Sequence, residues 1–154
     1  MNGRRTSPVV PLRDVPPVFT SERRPAVLVV DDESAIADTV TEILRRSGYV
    51  ATAAYDGNDA LESALLSPPK LLISDVLLPG MSGIELAITI KRVFPDCKIL
   101  LFSGQAATAD LMANARFAGH RFTLLSKPVH PRDLLARVAA MLTPQDARLT
   151  AIAS

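Results

Sequence analysis

The chain has 154 residues, 48% of them apolar, which is enough to bury one compact core and short for a two-domain enzyme. Its 17 basic residues against 16 acidic ones leave a formal charge of +1, so no strong field draws nucleic acid or an anionic membrane surface from a distance. No apolar run approaches the ~18 residues of a transmembrane helix, the start lacks an apolar signal-peptide stretch, and the single Cys97 rules out an intrachain disulfide or cysteine-based zinc site. The expectation is a soluble, cytoplasmic protein with neither a nucleic-acid nor a membrane partner.

Residues 1–24 stand apart. They hold Pro8, Pro11, Pro16 and Pro17, and five arginines against Asp14 and Glu22, leaving 12 basic and 14 acidic residues for the other 130. Without regular apolar spacing, this stretch is expected to be a flexible arm. From Ala26 onward, short apolar runs alternate with amphipathic stretches. The runs are Ala26–Val30, Val50–Ala54, Leu71–Ser74, Lys98–Phe102 and Phe122–Ser126. Several are almost continuously apolar, as strands covered on both faces must be; Val50–Ala54 is the weakest by propensity.

Helical patterns fill the gaps. Ile36, Val40, Ile43 and Leu44 share one face of a segment that Gly48 closes. Ala60, Leu61, Ala64 and Leu65 mark a second helix, stopped by Pro68-Pro69. Ser82 and Glu85 have capping-box spacing ahead of Ile84–Val93, which Pro95 ends. Thr108–Ala118 reads as a shorter, more polar fourth helix before Gly119. Pro131, suited to a first helical turn, opens a fifth carrying Leu134, Leu135, Val138 and Leu142. Five β–α units predict an α/β fold, a five-stranded parallel sheet wound with helices on both faces. The domain is expected over residues 25–143, with a short tail at 144–154.

In such sheets ligands bind beyond the carboxyl ends of the strands. The first strand ends in Asp31-Asp32-Glu33, the third in Asp75, the fourth in Ser103-Gly104 and the fifth in Lys127-Pro128. Clustered carboxylates suit a hard divalent cation such as Mg²⁺. A carboxylate can also attack phosphorus to form an aspartyl-phosphate. Phosphoryl transfer asks chiefly for positioning and charge stabilisation, which a metal, an ammonium and a hydroxyl supply.

These residues resemble a known family. Val29-Val-Asp-Asp-Glu33, Asp75-Val-Leu-Leu-Pro-Gly-Met-Ser-Gly83, Phe102-Ser-Gly104 and Ser126-Lys-Pro128 look like the receiver domain of two-component response regulators, over roughly Ala26 to Leu142. The resemblance implies a flavodoxin-like (βα)5 fold with strand order 2-1-3-4-5. It makes Asp75 the phosphoacceptor, with Asp31, Asp32, Asp75 and the backbone carbonyl of Leu77 around Mg²⁺, Mn²⁺ being the alternative. Asp31 would act through a bound water. Lys127 would contact the phosphoryl group, its bond to Pro128 cis. Ser103 would hydrogen-bond the phosphoryl group in the switched state, and Gly104 would keep that corner uncrowded.

The implied partners are a histidine kinase or phosphotransfer protein, a downstream protein target, and a second copy through the face of the fourth helix, fifth strand and fifth helix. The protein would be a phosphoacceptor signalling domain, not an enzyme beyond self-phosphorylation and self-dephosphorylation. The alternative is a pseudo-receiver, an unphosphorylated interaction scaffold. A haloacid-dehalogenase-type phosphatase also uses an aspartyl-phosphate, but wants a second acid two residues on, where this chain has Leu77.

Plainer roles exist for single residues. Asp31 and Asp32 could be helix N-terminal acids, Asp75 a turn residue before Pro79-Gly80, and Ser103 a loop cap. Gly80 and Gly83 serve turn geometry as readily as function. His120 and His130 are expected at the surface and Cys97 as a small buried hydrophobe. Two departures from the family stand out. Leu124 occupies the position, three before the lysine, where receivers commonly carry an aromatic switch residue; Phe122 lies two residues earlier on the same strand face. Only residues 143–154 follow Leu142, so a stand-alone receiver is expected.

Overall fold

A computed structural model describes residues 24–104 and 122–143, together with 113, 116 and 119. Five strands, β1 (Ala26–Val30), β2 (Val50–Ala54), β3 (Leu71–Asp75), β4 (Lys98–Ser103) and β5 (Thr123–Ser126), form one parallel sheet in the order β2-β1-β3-β4-β5. Among the described residues, four helices accompany them: α1 (Ser34–Arg46), α2 (Gly57–Leu66), α3 (Gly83–Val93) and α4 (Pro131–Leu142). The predicted fourth helix, Thr108–Ala118, falls almost wholly outside the described residues, so α4 is the sequence's fifth.

The central strands are buried along their length because helices cover both faces. Side chains alternate between two cores. Leu28, Val30, Leu72 and Leu101 point to one, against Ala60 and Ala64 of α2 and Leu86, Ala87 and Ile90 of α3. Val27, Val29, Ile73 and Leu100 point to the other, against Val40 and Leu44 of α1 and Leu134 and Val138 of α4. The edge strands have one neighbour each and carry exposed positions along their length. That explains the weak Val50–Ala54 signal, since β2 needs less apolar character than the strands within the sheet.

Helix ends follow local chemistry. Gly48 has φ 95°, a left-handed conformation that lets the chain leave α1. Ser82 accepts from the Glu85 N–H at 3.1 Å and caps α3. Asp56 accepts from Asp59 N–H at 2.7 Å and caps α2. His130 is exposed, and its Nδ1 accepts from Arg132 N–H at 3.1 Å, capping α4 ahead of Pro131. Cys97 is buried at the amino end of β4, away from the rim where polar residues collect. Among the described residues no helix is long and apolar enough to cross a membrane.

Candidate functional site

The strand order turns back between β1 and β3, and the parallel register aligns their ends. Val30 pairs with Ser74, so the next residues, Asp31 and Asp75, stand side by side at the carboxyl ends of β1 and β3. Asp32 follows, and carboxylate oxygens of Asp31, Asp32 and Asp75 lie within 4.8 Å of one another. Asp31 is 2% exposed, Asp75 is partly buried and Asp32 is open to solvent.

The opposite wall comes from β4 and β5. Ser103 pairs with Ser126, and the backbone N–H of Lys127 donates to the Ser103 carbonyl at 2.8 Å. Lys127 thereby reaches across the rim. Its Nζ donates to Asp31 Oδ2 and to Asp75 Oδ2, both at 2.9 Å. The Lys127–Pro128 peptide is cis. Burial by itself would lower the lysine's pKa, but the hydrogen bonds and charges of Asp75 and Asp31 outweigh it and leave the pKa above its ordinary value. The ammonium therefore stays charged at neutral pH.

Backbone donors hold the other oxygens. Glu33 N–H donates to Asp31 Oδ1 at 3.0 Å, and Leu77 N–H donates to Asp75 Oδ1 at 3.1 Å. Three carboxylates against one ammonium leave a negative excess at the rim. The donor set is oxygen only, without cysteine or histidine, and its close spacing suits a hard cation such as Mg²⁺ better than a soft metal.

The response regulator receiver domain family matches residues 27–139. The chain belongs to that family. Solved receivers share its fold and sheet order. A CheY-like response regulator receiver domain protein from Methanospirillum hungatei is 30% identical, covers 81% of this chain and 98% of its own, and superimposes with a TM-score of 0.72. The chemotaxis protein CheY4 of Vibrio cholerae is 28% identical over 77% of this chain and 99% of its own, with a TM-score of 0.69. The BeF3-activated DrrB receiver domain is also 28% identical, over 79% of this chain and 99% of its own, with a TM-score of 0.68.

Within this receiver the structure brings Asp31, Asp32, Asp75 and Lys127 into one cluster, with Leu77 attached to it through its N–H. Ser103 is 8% exposed and stands at the end of β4, one residue before Gly104, where an added Cβ would meet Lys127 Cβ at an ordinary 3.5 Å. Leu124 lies on β5 and is 41% exposed, while Phe122 is partly buried against the α2–α3 side of the core. His120 is outside the described residues. Sequence reasoning missed the two N–H donors, Glu33 and Leu77, that orient the carboxylates. A backbone donor is common to every residue but proline, so no residue type could have flagged them.

Proposed function

We propose that this receiver accepts a phosphoryl group on Asp75 from a histidine kinase or phosphotransfer protein, in the cytoplasm, and signals by binding another protein. The observation that carries this reading is Lys127 Nζ at 2.9 Å from both Asp31 and Asp75, within an all-oxygen carboxylate cluster. Such a cluster is costly unless it is used, since like charges repel at short range. Asp31, Asp32, Asp75 and the carbonyl of Leu77 would hold Mg²⁺, which supplies charge neutralisation at the reacting phosphorus when bound.

A carboxylate oxygen of Asp75 attacks the phosphorus of phosphohistidine. The P–N bond breaks, and the imidazole leaves with the electron pair. Lys127, already bonded to Asp75, stabilises the charge spread over the phosphoryl oxygens, and its raised pKa keeps that charge available. Leu77 N–H and Lys127 hold the Asp75 carboxylate before attack, so little reorganisation is needed. The Ser103 hydroxyl then follows the phosphoryl group and biases the nearby loop between two states. Water attacking phosphorus expels the Asp75 carboxylate and resets the domain.

The test is acetyl phosphate with Mg²⁺, read by intact mass on wild type and Asp75→Asn. The expected result is a single phosphoryl adduct of about 80 Da that needs Mg²⁺ and vanishes in Asp75→Asn. Without an adduct, and without beryllofluoride binding, the domain is a scaffold and the reading fails.

A further inference from the structure

We propose that Gly83 is a positioning residue for the acceptor, because helix α3 begins directly against the carbonyl of Asp75. This inference rests on the reading of Asp75 as acceptor. A Cβ built on Gly83 would stand 2.0 Å from the Asp75 oxygen, 2.9 Å from its carbon and 3.0 Å from Ser74 Oγ. Those distances are far inside van der Waals contact, and two of the three atoms are backbone. The need for glycine here is one of space, not of left-handed backbone.

The contact is part of a closed loop. The chain leaves β3 at Asp75, turns at Gly80 (φ 79°) and returns with Gly83 N–H donating to the Val76 carbonyl at 2.8 Å. Ser74, fully buried, donates its hydroxyl to the same Asp75 carbonyl at 2.9 Å. Midway round, the Met81 side chain lies on Gly57 of α2, where an added Cβ would be 3.0 Å from Sδ and 3.2 Å from the methionine Cβ. The loop therefore touches itself at one end and α2 in the middle.

Its neighbours have little room to yield. Leu86, Ala87 and Ile90 anchor α3 in the core, and β3 pairs on both sides. A methyl group on Gly83 must be relieved through the loop itself. That loop carries Leu77, whose N–H holds Asp75 Oδ1 at 3.1 Å and whose carbonyl is the fourth group assigned to the metal. Displacing it moves the acceptor and its surroundings together. In the native fold, absence of a side chain at residue 83 holds them in place.

The test compares ¹⁵N-labelled full-length wild type, Gly83→Ala, Ser74→Ala and Gly48→Ala. Gly48, with φ 95° at the far end of α1, provides strain remote from the loop. Each variant is titrated with Mg²⁺ by calorimetry, its Leu77 amide signal is followed by NMR, and its stability is measured in urea. Gly83→Ala is expected to move the Leu77 amide and weaken Mg²⁺ binding about tenfold, since small misplacements are costly in a preorganised site. Ser74→Ala, which adds no atoms, is expected to do the same about threefold through one lost hydrogen bond. Gly48→Ala should lose stability with Leu77 and Mg²⁺ binding unchanged.

Wild-type Mg²⁺ affinity and an unmoved Leu77 amide in Gly83→Ala, or in Ser74→Ala if Gly83→Ala does not fold, would overturn the proposal. So would a loss of Mg²⁺ affinity in Gly48→Ala as large as in Gly83→Ala. Acetyl phosphate labelling of wild type tests the acceptor reading separately, and its failure leaves the amide and Mg²⁺ results free to stand or fall alone.

Discussion

The two walls of the site are built differently. The acidic wall hangs from β1 and β3, strands paired on both sides and buried on both faces, and backbone N–H groups hold its carboxylates. The opposite wall hangs from β4 and β5, and β5 is a four-residue edge strand with Leu124 and Ser126 exposed. β3 and β4 pair along the sheet, and at the rim the Lys127 side chain bridges the two walls through Asp31 and Asp75. On the proposed function, the carboxylates that must be held in place hang from twice-paired interior strands, and the exposed edge offers a surface for a partner where movement disturbs fewer buried contacts.

Breaking the link should have the largest effect. Lys127→Met removes both ion pairs and leaves Asp31, 2% exposed, without its cation. Removing one partner of a buried pair costs about 3 kcal/mol, and a loss near that size is expected in metal-free urea titrations. Mg²⁺ should restore part of the lost stability in the variant, because a ligand that binds only the folded state stabilises it. A Lys127→Met domain as stable as wild type in chelator would mean that the bridge adds nothing to the pairing of β3 with β4.

Alkaline pH should weaken the same link more gradually. The Lys127 pKa is raised, so the stability it contributes is fully present below its ordinary 10.5 and is lost as pH rises through the higher folded value. Burial pushes the Cys97 thiol from 9.0 up to about 11, which has the same sign: the unfolded chain ionises first, and stability falls as pH climbs from 9 to about 11. Urea midpoints should be flat from pH 7 to 8.5 and decline above 9. In Cys97→Ala the decline should begin later, near the lysine range.

The smallest effect should come from the edge. Leu124→Tyr changes a side chain 41% exposed on β5 and leaves every carboxylate and the ammonium of the cluster in the chain. Stability is expected to change by less than about 0.5 kcal/mol, and acetyl phosphate labelling to proceed at the wild-type rate. A marked slowing would show that the edge wall shapes the chemistry as well as the read-out, and would break the distinction between the two.

Much of this molecule was legible in its sequence because the signals were local. Alternating apolar runs and helical periods placed the strands, and Gly48, Ser82 and Pro131 marked helix ends through their own backbone preferences. Asp31, Asp32, Asp75, Ser103 and Lys127 could be nominated because each ends an apolar strand or follows one within two residues, and parallel strands share one carboxyl rim. Other features depended on distance across the fold. The bridge from Lys127 to Asp31 and Asp75 spans 96 and 52 residues, the Leu77 and Glu33 amides carry no residue signature, and the buried end of β3 gave no warning that Gly83 would lie on Asp75. Sequence determined which groups reach the rim, since secondary structure follows short-range pattern; only tertiary packing decided which atoms meet there, since contact depends on how separate elements are pressed together.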